Sequence, residues 1–430
     1  MDMKILISNA YCYLNKGDAG IIRAMVQEFR KKHPRAEIKV VSLFKDLDQG
    51  KYGNCEVIDC IIKPYTGKSR LMKTIRNTAL YFLVWLLNLL GIPFNRTVRE
   101  FKEADIVVSC GGGYLKARNL AQFLGDFMYH YIQFLTAIQY KKPFVVYAQT
   151  VGEFGSHPYV TSRIKKVLNK AALVLPREPI SYNYLKGFVP DNRNFFETSD
   201  IAFLLEKKEI DSKSLKGLLA VKKTKVGITM RSWHFPGTPN RAWQLENYKN
   251  AMSKLIEHLV TRQNAEVFLM PQCIGPGEDN DLLISREVYA PFQENRSVHL
   301  VDNNLTPEEL KYVYSQMDLF VGTRMHSNIF ALSEKVPCVA ISYDLKTDGI
   351  MKAVGLKDYV LDIKDLNEGG LRAKIDQALA RRDLMKQTLE TSIPQICSKA
   401  RMNNTLLYQV MDNKGKQTAE NRKIGELLDA

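Results

Sequence analysis

Two short polar runs hold the residues whose chemistry is least ordinary. In Gly322-Thr323-Arg324-Met325-His326-Ser327-Asn328 an arginine and a histidine follow the apolar run Leu319-Phe320-Val321. In Ser342-Tyr343-Asp344-Leu345-Lys346 a lysine follows Cys338-Val339-Ala340-Ile341. Two cations and one imidazole suit a small anion carrying phosphate or carboxylate, and an imidazole can move protons near neutral pH. Taken singly, such residues are usually solvated or paired surface groups. Their occurrence on two successive units, with Pro337 between them, is what carries weight.

The elements that must position them follow from the apolar pattern. The two apolar runs read as buried strands, and Ile329-Phe330-Ala331-Leu332 as the face of a helix between them. The order is strand, polar turn, helix, strand, polar turn. In a parallel sheet both turns emerge at the carboxyl edge, where ligands bind against helix N-termini. The same alternation runs through the first half. Strands are expected at Ile5 to Ser8, Ile38 to Ser42, Ala104 to Cys110, Phe144 to Ala148 and Ala172 to Leu175, with a helix over Ile21 to Lys31. It restarts at Val226 to Met230 and continues at Glu266 to Met270 and His299 to Val301. The fold class is therefore α/β with parallel sheets.

Further candidates lie after these strands. Asn15-Lys16-Gly17-Asp18 is a turn in which Gly17 permits close backbone approach and Asp18 either binds a sugar hydroxyl, acts as a base or caps the next helix. Gly111-Gly112-Gly113 would let a ligand reach the backbone, but neither GxGxxG nor GxxxxGK[ST] is present. Arg177-Glu178-Pro179-Ile180-Ser181 and Arg231 each add a cation at a strand end. With Arg324 and Lys346 that charge exceeds what one phosphate monoester requires, and suits a phosphate plus a carboxylate. Asp46-Leu47-Asp48 and Glu278-Asp279-Asn280-Asp281 read as polar loops, so no metal site and no cofactor are expected.

At 430 residues the chain is expected to form two domains. They are an N-terminal one over 1–205, a linker at 206–225, a C-terminal one over 226–385, and a helical segment with a polar tail over 386–430. Lys plus Arg (61) exceed Asp plus Glu (46), for a formal net charge of +15, which suits anionic substrates or an anionic membrane surface. No nucleic-acid-binding motif is present. Seven cysteines without a close pair, and a first strand that starts at Lys4, point to a reducing, cytoplasmic location. One segment breaks the rhythm. Residues 63–95 pass from a basic stretch into Ala79-Leu80-Tyr81-Phe82-Leu83-Val84-Trp85-Leu86-Leu87-Asn88-Leu89-Leu90, too short to span a bilayer. It reads as an interfacial helix against a membrane, a buried core helix or a dimer surface.

Set in order, these motifs resemble those of the polysaccharide pyruvyl transferases. The resemblance covers Asn15-x-Gly17-Asp18, Gly111-Gly112-Gly113, Ala148-Gln149-Thr150-Val151-Gly152, Arg177-Glu178-x-x-Ser181 and Asp200-x-Ala202-Phe203. It ends with Gly322-x-Arg324-x-His326 and Ser342-Tyr343-Asp344-x-Lys346. It implies a GT-B-like pair of Rossmann-type domains facing across a cleft, with the acceptor on the N-terminal side. It also implies transfer of the pyruvyl group of phosphoenolpyruvate to a sugar as a cyclic ketal. By that likeness Arg177, His326 and Lys346 are functional. Placement adds Arg231 and Arg324 as donor ligands, with Asn15, Gly17, Gly112, Gly113, Ser327 and Tyr343 around them. His326 is the expected proton-transfer group, and Asp18 and Glu178 are both candidates for the second. The expected acceptor is a galactose of a lipid-linked capsule or exopolysaccharide precursor. The rival is a GT-B glycosyltransferase using a nucleotide sugar, and the oligomeric state is left open.

Overall fold

Runs of β-branched and apolar residues buried on both faces form the strands, as a sheet covered by helices on two sides requires. The computed structural model describes residues 3–67, 69–275, 280–302 and 304–412. The N-terminal sheet comprises β1 (Lys4–Ala10), β2 (Glu37–Ser42), β3 (Glu56–Asp59), β4 (Ile106–Ser109), β5 (Gly112–Ala117), β6 (Phe144–Phe154) and β7 (Leu173–Pro176). The C-terminal sheet comprises β8 (Lys225–Thr229), β9 (Glu266–Leu269), β10 (Val298–Leu300), β11 (Leu319–Gly322), β12 (Cys338–Ser342) and β13 (Val360–Asp362). Every named pairing in both sheets is parallel.

The C-terminal order is β10-β9-β8-β11-β12-β13, that of a Rossmann sheet, with its switch point between β8 and β11. The N-terminal order begins likewise, β3-β2-β1-β4-β6. There the sequence expectation needs correcting in two places. β6 does not stop at Ala148 but runs on to Phe154, bent where Ala148 takes a positive φ of 46° and the register shifts. Its first half pairs with β4 and its second half with β5, a strand absent from the sequence reading that begins at Gly112 and Gly113. A bulge of this kind re-aims the side chains beyond it.

The helices that bear on the site and its surroundings are α1 (Lys16–Lys32), α2 (Arg70–Leu89), α3 (Met128–Gln139), α4 (Asp281–Tyr289), α5 (Met325–Ser333), α6 (Leu345–Ala353) and α7 (Arg382–Asp412). Helix α1 is the wedge between the domains. A Cβ on its Gly20 would lie 2.5 Å from the Phe330 ring of α5, so the two helices touch through a position that only glycine fits. At the start of α1, Lys16 N donates to Gln272 O (3.1 Å), and just before it Leu14 O accepts from Ile274 N (2.9 Å), joining the two domains. Residues 206–225 connect the sheets and include the short helix Lys213–Leu219. Helix α7 crosses back to the N-terminal domain, and residues 413–430 of the expected tail lie outside the described residues. All seven cysteines are free. Among the described residues no helix is long and apolar enough to cross a membrane.

Candidate active site

The carboxyl edges of both sheets face one cleft of about 690 Å³. His326 stands on the first turn of α5, after β11, with its side chain mostly buried. Its Nε2 lies 3.4 Å from Asp200 Oδ2 and 3.4 Å from Arg177 Nη1, both from the N-terminal domain. The other side of the ring rests on the backbone of Gly17, where an added Cβ would come within 2.6 Å of Nδ1. Arg177 follows β7 and is buried. It donates from Nη1 to Asp200 Oδ2 (2.5 Å) and from Nε to Thr150 Oγ1 (2.9 Å), with Glu178 Oε2 at 3.5 Å. Burial alone would raise the Asp200 carboxyl, but Arg177 and then His326 more than offset it and hold it below the ordinary range.

Lys346 enters from the opposite wall. Asp344 caps α6 by accepting from Lys346 N (3.2 Å) and Thr347 N (3.4 Å), which fixes the turn that carries the lysine. A Cβ on Gly113 would sit 2.8 Å from Lys346 Nζ, so the ammonium lies against the start of β5. Burial, then repulsion from Arg177, lowers its pKa. Arg231 lies over the rings of Trp233 (4.9 Å) and Tyr343 (4.5 Å), a cation–π clamp that points its guanidinium into the cleft wall.

Other expected residues are supports. Arg324 lines the cleft, but its guanidinium is gripped by the fully buried carboxylate of Asp281 (Nη2 to Oδ1 2.6 Å, Nε to Oδ2 3.0 Å). Asp281 also accepts from Cys273 N (2.8 Å), so it anchors Arg324 to the loop after β9. The structure does not bring Ser327 to the cleft. Its hydroxyl is fully buried, donating to Arg324 O (2.7 Å) and meeting Thr229 Oγ1 at 2.7 Å. Glu178 is buried between Arg177, Thr150 and Ser181. Asn15 caps α1 through Gly17 N and donates to Asp18 Oδ2 (2.8 Å), and both Asn15 and Asp18 line the cleft with Gly112.

Sequence reasoning missed three contributors. Asp200 lay in a quoted run without a role, and its signal was a buried-type aspartate before the apolar Ile201-Ala202-Phe203. Asp281 was read as part of a polar loop. His130, on α3, had no sequence signal. It is stacked on Tyr114 (4.1 Å between ring centroids) with Nδ1 3.1 Å from Asn9 Oδ1, and burial depresses its pKa to about 4. The π-helical turn Phe123–Phe127 directly precedes α3, and such turns recur at functional sites.

The arrangement can therefore bind an anion with several charges and hold an imidazole in fixed orientation. The family model described as polysaccharide pyruvyl transferase matches residues 15–344. The amylovoran biosynthesis protein AmsJ of Erwinia amylovora is 22% identical over 415 residues, 91% of this chain and 96% of that protein. Among solved structures, UDP-GlcNAc 2-epimerase from Neisseria meningitidis, bound to UDP-GlcNAc, superposes with a TM-score of 0.61 at 12% identity, covering 95% of this chain and all of the other. An Anabaena protein in complex with UDP gives 0.53 at 13% identity, covering 96% and 100%. At those identities the structures speak for the fold, a GT-B-like pair of domains. The family match extends over most of the sequence, from Asn15 to Asp344, and the chain belongs to the polysaccharide pyruvyl transferase family.

Proposed function

We propose that the protein transfers the pyruvyl group of phosphoenolpyruvate to two hydroxyls of a sugar, forming a cyclic ketal and releasing phosphate. The observation that carries this reading is the meeting of His326 with the Arg177–Asp200 pair across the two domains, opposite Lys346. Two of the cleft's arginines have a carboxylate partner, Arg177 with Asp200 and Arg324 with Asp281. From their places on the cleft wall, we assign the donor's phosphate and carboxylate chiefly to Lys346 and Arg231, aided by the N-termini of α5 and α6. No cofactor or metal is needed in this scheme, because fixed cations supply the stabilising charge.

In the reaction, His326 delivers a proton to the methylene carbon of phosphoenolpyruvate, and positive charge develops at C2. A sugar hydroxyl adds to C2 as its proton passes to a base, for which Asp18 lies on the cleft wall. Phosphate then leaves with its bonding electron pair, and a second hydroxyl adds to C2 and closes the ketal as its proton passes to the now neutral His326. The acceptor we favour is a galactose of a lipid-linked polysaccharide precursor. Free thiols and the absence of paired cysteines fit a reducing, cytoplasmic setting.

The test is incubation of the purified protein with phosphoenolpyruvate and galactose-terminated oligosaccharides in the presence of a chelator, following phosphate release and the new ketal carbon by NMR. Phosphate release coupled to ketal formation is the expected result. Silence with phosphoenolpyruvate, together with sugar transfer and nucleotide release from a nucleotide sugar, would transfer the assignment to a glycosyltransferase. Activity that returns only when a divalent metal is added would sink the metal-free scheme alone.

A further inference from the structure

Helix α2 is apolar on its outer face as well as on its inner one, where Tyr81 and Val84 join the core. A surface helix normally turns its apolar stripe inward and its polar residues to solvent. Here Asn77 and Asn88 are on the inner face, and both are buried. Asn77 Nδ2 donates to Gly125 O (2.9 Å), and Asn88 Nδ2 donates to Thr136 Oγ1 (3.0 Å) and Gln139 Oε1 (3.1 Å). Among the described side chains of this helix, every exposed one is apolar. Leu71 is 69% exposed, Phe82 58%, Leu83 48%, Leu86 46% and Leu89 62%, spaced so that they form one continuous stripe. A stripe of this size in water marks a surface made for a partner.

Charge identifies the partner. Residues 60–99 contain no Asp or Glu and seven Lys or Arg, five of them (Lys63, Lys68, Arg70, Lys73, Arg76) at the basic end that leads into the stripe. Two copies docked through this face would bring two acid-free, cationic segments together. An anionic lipid surface would instead meet cations beside an apolar stripe, the pattern of an interfacial helix. The helix also reaches the active site. Lys73 lines the cleft and is paired with Asp126, and Tyr65 N donates to Tyr129 Oη (2.8 Å) at the same lip.

We propose that α2 lies in the interface of an anionic phospholipid bilayer, with its apolar stripe among the acyl chains and the lip of the cleft at headgroup level. A lipid-linked acceptor would then enter along the surface, past Lys73, without leaving the membrane. The docking surface stands independently of the pyruvyl reading, and what it adds to that reading is the route of the acceptor.

The experiment is flotation of the full-length protein with vesicles of phosphatidylcholine alone and with one-third phosphatidylglycerol, beside the double variant Leu83→Glu/Leu86→Glu. Wild type should float with the anionic vesicles, weakly with neutral ones. The variant, unchanged in melting temperature and in turnover of a soluble acceptor, should lose binding at least tenfold. Acyl-brominated lipids should quench Trp85. Vesicle binding is read without turnover, so failure of the pyruvyl assignment leaves it intact. Failure of wild type to float, or flotation of the variant equal to wild type, would overturn the proposal. So would a dimer in sedimentation equilibrium that the same variant dissociates, without vesicle binding.

Discussion

His326 is held from three sides by groups of the other domain, so its chemistry depends on orientation as much as on acidity. Arg177 and Asp200 face Nε2, and Gly17 supports the ring from behind. Replacing His326 by Ala should lower turnover by about 10²–10⁴-fold, the usual range for a lost general acid–base group. Donor affinity, read by calorimetry with phosphoenolpyruvate, should change only a few-fold; survival of turnover within a few-fold rejects the role. Gly17→Ala tests the orientation of the ring. Its methyl would come within 2.6 Å of Nδ1 and 2.7 Å of Cβ of His326, so the imidazole must shift, at some cost in stability. Turnover should fall at least tenfold while donor affinity changes only a few-fold; turnover close to wild type would mean that the ring's exact position is not needed. Lys346 makes a pH prediction. Its pKa is lowered, so its proton is lost as pH rises before an ordinary lysine would lose one. Donor affinity should weaken from neutral toward alkaline pH, and Lys346→Arg should flatten that dependence; equal slopes in the two proteins reject the assignment of Lys346 to the donor.

The elements show what the sequence displayed and what it hid. The strand–turn–helix units around His326 and Lys346 were legible because Leu319-Phe320-Val321 and Cys338-Val339-Ala340-Ile341 are uninterrupted apolar runs. The far half of β6 was not, because Gln149, Thr150 and Gly152 look like a turn and only pairing with β5 makes them a strand. The run Ala79 to Leu90 was plainly helical, yet apolarity alone could not say which face turns outward; hydrogen bonds from Asn77 and Asn88 decide it. Asp281 shows the same limit. A polar loop by composition, it begins α4 and grips Arg324, which lies 43 positions away. Asp281→Ala would remove the buried carboxylate that grips the Arg324 guanidinium and accepts from Cys273 N, and should cost about 3–5 kcal/mol in denaturant unfolding. A loss below about 1 kcal/mol would mean that the pair is replaced by other contacts or by water.

At the scale of the molecule, the site is assembled from distant pieces. Helix α7 lies along the N-terminal domain although it follows the C-terminal sheet. Its fully buried Asn403 accepts from Thr198 Oγ1 (2.8 Å) and donates to Ser199 O (2.8 Å), and Asn404 accepts from Tyr147 Oη (2.5 Å). Thr198 and Ser199 immediately precede Asp200, so α7 sets the position of the carboxylate that holds Arg177 and faces His326. Asn403→Ala should cost about 1–3 kcal/mol through the polar groups left without partners. It should also lower turnover more than donor affinity; an unchanged turnover number would confine Asn403 to stability. This strap has a consequence for synthesis. A ribosome makes both sheets before it makes α7, so a nascent chain can complete each half and still lack the contact that steadies Asp200. Catalytic competence then arrives late, only after both halves have been drawn together.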